Sequence, residues 1–163
     1  MTAANQHLRG IILAGGEGRR LQPFIRARFE TNRPKQYCTF IGTSSMLCQT
    51  IARAEQVIPP TRLLTVVTRA HLPFAREELH DRPSDTVIIQ PSNRETGPGI
   101  LRALGSSQAA DVVEEVYAKL PLVNFSHAIL ARSPHLLAVL PVIGVYWSDW
   151  GNPEQVRLDL ARL

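Results

Sequence analysis

The apolar run Gly10-Ile11-Ile12-Leu13-Ala14 leads directly into Gly15-Gly16-Glu17-Gly18 and then into Arg19 and Arg20. A short continuous apolar stretch bounded by glycine is the pattern of a strand covered on both faces. Glycines at 15, 16 and 18 let the backbone adopt positive φ and let its N–H groups approach a ligand with no Cβ in the way, which is how a loop cradles phosphate. Arg19, Arg20 and the downstream Lys35 would meet the negative charge of such a ligand, and a triphosphate is the natural candidate. Two common phosphate loops are disfavoured. G-x-x-x-x-G-K-[ST] is absent, and Leu21 stands where G-x-G-x-x-G needs its third glycine.

Strand and helix patterns alternate along the next part of the chain. Ser45 to Val57 carries Met46, Leu47, Thr50, Ile51 and Ala54 at helical spacing, with Ser44 or Ser45 able to cap it. Leu63 to Thr68 reads as a second strand, Leu72 to Leu79 as a short helix and Thr86 to Gln90 as a third strand. This β-α-β-α-β order predicts an α/β fold with a parallel sheet and helices on both faces. Ligands of such sheets bind at the carboxyl ends of the strands, where Gly15 to Gly18 and Gln90 to Gly97 both fall. After Leu104 the pattern changes. Gly105 to Ala110 is small and polar, Asp111 to Leu120 reads as an amphipathic helix, Leu136 to Val145 as a segment ending in a strand that delivers Asp149 to the top of the sheet, and Pro153 to Leu163 as a closing helix with Pro153 in its first turn.

Length and an apolar content of 44% suit one compact domain over residues 1–163, divided into a nucleotide-binding half (8–104), a junction and helix (105–120) and a C-terminal part (121–163). The net charge of +4 is modest, but Arg19, Arg20, Arg26, Arg28 and Arg33 gather in the first third, which suits a small polyanion. Only Phe24 and Phe29 interleave with these cations and no nucleic-acid motif occurs, so nucleic acid is not the expected partner. Cys38 and Cys48 lack CxxC spacing and read as reduced thiols of a cytoplasmic protein. The five histidines show no HxxxH or HExxH pattern. The N-terminus lacks a leader-like apolar core, and the apolar run from Ala128 to Trp147 is too interrupted by Arg132, Pro134, His135 and Pro141 to span a bilayer, so no membrane association is expected.

The whole string LAGG-x-G-x-RL-x-P, Leu13 to Pro23, with Arg33-Pro34-Lys35-Gln36 after it, resembles the signature of the sugar-1-phosphate nucleotidyltransferases. Gln36 brings it near the mannose-1-phosphate guanylyltransferases. Arg19 departs from the pattern, standing where relatives carry a small hydroxyl residue, so the motif arginine is Arg20. Gln90 to Ile100 is similar to the nucleoside-recognition segment QPxNRxTxPAI, and Val145 to Pro153 to a second metal-binding segment. The resemblance implies a three-layer αβα, Rossmann-like, mostly parallel sheet in a shortened nucleotidyltransferase domain. It further implies transfer of GMP from GTP to mannose-1-phosphate, with Mg²⁺ as cofactor and pyrophosphate as leaving group. Leu13, Ala14 and Gly15 would then face base and ribose through backbone groups, and Gly16 and Gly18 would give the turn. Arg20 would grip the β- and γ-phosphates, and Lys35 would bridge the α-phosphate and the sugar phosphate. Asn93, Thr96, Gly97 and Pro98 would contact the nucleoside, and Asp149 would hold metal. From the residues alone, Lys35 can equally be an exposed lysine, Asn93 a turn-former and Asp149 a cap of the closing helix.

The resemblance breaks after about Leu104, where the family's PxDH metal motif and its EKP sugar motif are both missing and the chain reads as internally shortened. No left-handed β-helix domain is read after the catalytic segment. Asp85, in Pro83-Ser84-Asp85, precedes the third strand and is read as part of a turn. Nucleotidyl transfer brings two polyanions together, so loss of one of two metal carboxylates should weaken metal placement severely. Three readings follow: an active nucleotidyltransferase, a shortened relative that binds nucleotide without turnover, and a fragment that retains only a structural core. A shortened sheet also exposes strand edges that invite a homo-oligomer.

Overall fold

The computed structural model describes residues 8–93, 119, 121, 124–128, 130–137, 143–144, 146 and 148–162. Three strands, β1 (Gly10–Leu13), β2 (Leu63–Thr68) and β3 (Val87–Gln90), form a parallel sheet in the order β1-β2-β3. Gly10 pairs with Leu63, and Thr65 with Val87. Helices α1 (Gln22–Phe29) and α2 (Met46–Glu55) lie between β1 and β2, and α3 (Leu72–Glu78) lies between β2 and β3. Further along come a one-turn helix α4 (Phe125–Ala128) and the closing helix α5 (Pro153–Leu160).

β2 is the strand the burial pattern singles out. Leu63, Thr65, Val66, Val67 and Thr68 are all buried, as a central strand between two layers requires. Leu63 and Val67 share one face and pack with Leu47 and Ile51 of α2, Ala75 of α3 and Leu79 at its end. Both crossover helices therefore lie on the same side, because the order β1-β2-β3 steps across the sheet twice in one direction with one hand of crossover. Val66 and Thr68 point the other way and are buried too, so the sheet is covered on both faces. The chain is thus an α/β domain, a shortened αβα arrangement of Rossmann-like kind. The reading of the first strand needs correction. Gly10, Ile11 and Ile12 are only half-buried and Leu13 is 40% exposed. β1 pairs with β2 and has no second sheet neighbour among the described residues.

Local chemistry explains where the helices begin and end. Ser45 takes extended backbone and its hydroxyl accepts from the N–H of Cys48 at 3.2 Å, so of the two candidate caps Ser45 acts. The Gln22 helix has proline in its first turn and ends at Glu30, which adopts φ 53°. Asn152, not Asp149, caps α5: its side chain accepts from the N–H of Gln155 at 2.9 Å, with Pro153 opening the first turn. A second core cluster, Leu21, Ile25, Cys38, Phe40 and Val156, ties α1 to α5 and so brings the two ends of the chain together.

Several expected features fall outside the described residues: all of the helix over 111–120 but Lys119, most of the segment 136–145, and Thr96, Gly97 and Pro98. Within the described part, Pro134–Leu136 forms a 3-10 turn. No helix among the described residues is long and apolar enough to cross a membrane.

Candidate functional site

β1 hands the chain to the glycine loop at the carboxyl edge of the sheet. The N–H of Ala14 donates to the carbonyl of Val66 at 2.8 Å, and its carbonyl accepts from Gln36 Nε2 at 2.8 Å and from the Tyr37 hydroxyl at 3.2 Å. Ala14 is buried, with both backbone groups spent inside the protein. These bonds hold the start of the loop against β2 and the Lys35–Tyr37 turn. Gly15 is closely approached: a Cβ there would lie 2.5 Å from Gln90 Nε2 and 3.1 Å from Thr68 Cγ2, so the Gln90 side chain would have to shift. Gly16 has nothing within 4 Å of a Cβ, and Gln36 Nε2 holds its carbonyl at 2.9 Å. Gly18 has φ 62°, which reverses the chain into the 3-10 turn Arg19–Leu21.

That reversal sets one wall of a cleft of about 440 Å³, lined by Gly18, Arg19, Arg20, Leu21, Lys35, Asp149, Trp150 and Gly151. Lys35 packs beside Gly18, and its Nζ donates to the carbonyls of Asp149 at 3.2 Å and Trp150 at 3.4 Å, an approach across 114 positions of sequence. Arg20 is exposed and makes no hydrogen bond or ion pair among the described residues. Arg19 is turned outward and pairs with Glu17. The structure thus brings Gly18, Arg20, Lys35 and Asp149 to one cleft. Leu13, Gly15 and Gly16 lie behind it on β1 and its loop. Asn93 is exposed beyond β3, off the lining of this cleft, and Thr96, Gly97 and Pro98 lie outside the described residues.

The opposite wall comes from the C-terminal segment. Asp149 is exposed, and its Oδ1 accepts from the N–H of Gly151 at 2.9 Å, closing a tight turn in which Trp150 adopts φ 46°. Trp150 is anchored by ring and by N–H: its ring meets Phe40 edge-on at 5.1 Å, and its Nε1 donates to Asp159 Oδ2 at 2.7 Å. Asp159 is buried, and the hydroxyls of Ser148 and Tyr146 together with Gln155 and Trp150 hold its carboxyl down at about 2. Sequence reasoning used Gln36 only as part of a motif and gave no role to Trp150 or Asp159. The signal for Asp159 was present, since a carboxylate three positions after Val156 falls on the buried face of the closing helix.

Could this cleft hold Mg²⁺? Asp149 Oδ2 carries no hydrogen bond among the described residues and is a hard oxygen donor open to the cleft. No cluster of three or more His, Cys, Asp or Glu fit for a metal occurs among the described residues. The donor set fits Mg²⁺ in the way that ion is commonly bound, by one carboxylate with phosphate oxygens and water completing the shell.

A glycine loop at the carboxyl edge of a parallel sheet, facing fixed cations and one carboxylate, defines a phosphate-handling α/β domain. A family model described as Nucleotidyl transferase matches residues 9–130, and the chain belongs to this family. It is 33% identical over 106 residues to a mannose-1-phosphate guanylyltransferase of Escherichia coli, covering 62% of this chain and 21% of the relative. A mannose-1-phosphate guanylyltransferase of Klebsiella pneumoniae matches at 32% over 106 residues, with the same two shares. The xanthan biosynthesis protein XanB of Xanthomonas campestris pv. campestris (strain B100) matches at 34% over 93 residues, 55% of this chain and 19% of the relative. The chain spans about a fifth of the length of these relatives. Arg20 and Lys35 lie inside the family match and Asp149 lies beyond it.

Proposed function

We propose that this chain is a nucleotidyltransferase that binds GTP and a sugar-1-phosphate, with mannose-1-phosphate favoured by the names of its relatives, and forms a nucleotide sugar with release of pyrophosphate. The observation that carries the reading is the convergence of Gly18, Arg20, Lys35 and Asp149 on one cleft from opposite ends of the chain. Arg20 would bind the β- and γ-phosphates, and Lys35 would neutralise the α-phosphate and the incoming sugar phosphate as they approach. Asp149 Oδ2 would take Mg²⁺, which supplies charge neutralisation on the departing pyrophosphate. Lys35 Nζ would exchange the carbonyls of Asp149 and Trp150, which it now holds, for a phosphate oxygen. The same reading places the protein in the cytoplasm, where nucleoside triphosphates are made and used.

The test is pyrophosphate release from GTP, Mg²⁺ and mannose-1-phosphate, with Asp149→Asn run in parallel. Release that disappears in the variant supports the transferase. A second reading, nucleotide binding without turnover, draws support from Asp149 being the single carboxylate on the described lining of the cleft. It expects no release beyond the Asp149→Asn background together with measurable GTP binding that Arg20→Ala or Lys35→Ala weakens.

A further inference from the structure

Asp159 is a carboxylate enclosed on the inner face of α5, 5% exposed, and such a group is tolerated only when its lone pairs are filled. They are filled largely from one short stretch of chain. The Tyr146 hydroxyl and Gln155 Nε2 donate to Oδ1, the latter at 2.7 Å, and Trp150 Nε1 donates to Oδ2 at 2.7 Å. One of these donors, Trp150, is the immediate neighbour of Asp149 in the chain, and its own N–H reaches back to Ser148 Oγ at 3.5 Å.

The backbone between them is held in a conformation it would not choose. Trp150 has φ 46°, a region that bulky side chains avoid and keep only where their surroundings impose it. The imposing contacts are the indole N–H on Asp159 and the edge-on packing against Phe40. In that conformation Asp149 Oδ1 receives the Gly151 N–H and the carbonyls of Asp149 and Trp150 converge on Lys35.

We propose that Asp159 is a positioning residue: by holding Trp150 it fixes the 149–151 turn and so aims the Asp149 carboxylate at the metal-phosphate position of the cleft. This rests on the reading of the cleft given above. Partners of this kind, which touch no ligand themselves, typically carry about 10- to 100-fold in metal affinity or activity. A merely structural Asp159 would instead act on stability and on all binding alike.

Calorimetric titration of the whole chain with GTP, with and without Mg²⁺, separates the two. The quantity read is the ratio of the two dissociation constants. Asp149→Asn should bring that ratio close to one. Asp159→Ala and Trp150→Phe should each lower it by about tenfold or to the floor set by Asp149→Asn, and the double variant should lose no more than either single one, since both act along one path. Mg²⁺-free affinity should stay within about twofold of wild type, the scatter of a substitution remote from the ligand. Trp150→Phe keeps an aromatic ring beside Phe40 while deleting the N–H donor, so it decides the matter if Asp159→Ala fails to fold. A ratio that falls in Asp149→Asn but survives in Asp159→Ala and Trp150→Phe overturns this inference and leaves the cleft standing. Loss of Mg²⁺-free affinity in step with melting temperature also overturns it, and a wild-type ratio already at one overturns both.

Discussion

Lys35 and Arg20 are the residues on which nucleotide affinity should turn. Each would exchange water or a backbone carbonyl for a phosphate oxygen, and a hydrogen bond to a charged group contributes about 1.5–3 kcal/mol, so Lys35→Ala or Arg20→Ala should weaken GTP about 10- to 100-fold in a calorimetric titration. The glycines separate by the same logic. Gly18 at φ 62° should lose about 1–2 kcal/mol on replacement by alanine, whereas Gly16→Ala, with open space around it, should stay within about 0.5 kcal/mol in urea unfolding. The sequence marked all three loop glycines alike, because a glycine needed for positive φ, one needed for close approach and one facing open space are written with the same letter. His71 was not marked at all. It is buried at the start of α3 with its ring edge-on to Tyr37 at 5.8 Å and its Nδ1 without a partner among the described residues. Burial pushes its pKa below the usual 6.5, an effect larger than the opposing hydrogen bond to the Ala14 backbone and the charge of Glu17. The unfolded chain therefore binds a proton that the native chain resists, so His71 favours folding above about pH 6.5 and that contribution is lost as pH falls through its lower native value. The urea midpoint should drop between about pH 7 and pH 5, and less steeply in His71→Asn.

At the scale of elements, the second and third strands and the first two crossover helices were legible almost to the residue. Leu63 to Thr68 is as the β-rich run predicts, and the Ser45 helix begins where a hydroxyl precedes a periodic apolar stripe. Removal of that cap by Ser45→Ala should cost about 1 kcal/mol, measured by urea unfolding, since it also releases the hydrogen bond from Ser45 Oγ to Glu78 at 2.6 Å. The closing helix is a different case. Its start was legible from Pro153, but its cap was not, because Asp149 and Asn152 both suit the role and only the Trp150 turn decides between them. Its packing against α1 could not be foreseen, since no local pattern links Val156 to Leu21 and Ile25. Ile25 is fully buried in that contact, and Ile25→Ala should cost about 2–5 kcal/mol of stability and loosen α5 from the rest of the chain, read as loss of protection from hydrogen exchange over residues 153–160.

For the whole molecule, the first ninety residues and the last fifteen form one unit through the cluster of Leu21, Ile25, Cys38, Phe40 and Val156. Both cysteines report on that unit. Cys38 is buried beneath it and its thiol is raised to about 11, chiefly by desolvation, and Cys48 is raised by burial and by its hydrogen bond to Glu78. Few thiolates exist at pH 8, so labelling by a thiol-specific disulfide reagent should be slow in the native chain and should speed up in step with unfolding as urea is added. The order of motifs along the chain was readable. What brings Asp149 to Lys35 was not, because it depends on Trp150 and Asp159, whose roles exist only once the two ends of the chain have met.

The indole of Trp150 has one more consequence. Its peptide forms the cleft wall that Lys35 now grips, and its ring is fixed against Phe40 and a carboxylate. The molecule thus carries an intrinsic optical reporter. In a Trp147→Phe background the emission of this single fluorophore should shift as Lys35 leaves the carbonyl for a phosphate, so occupancy of the cleft can be followed in real time with no attached dye.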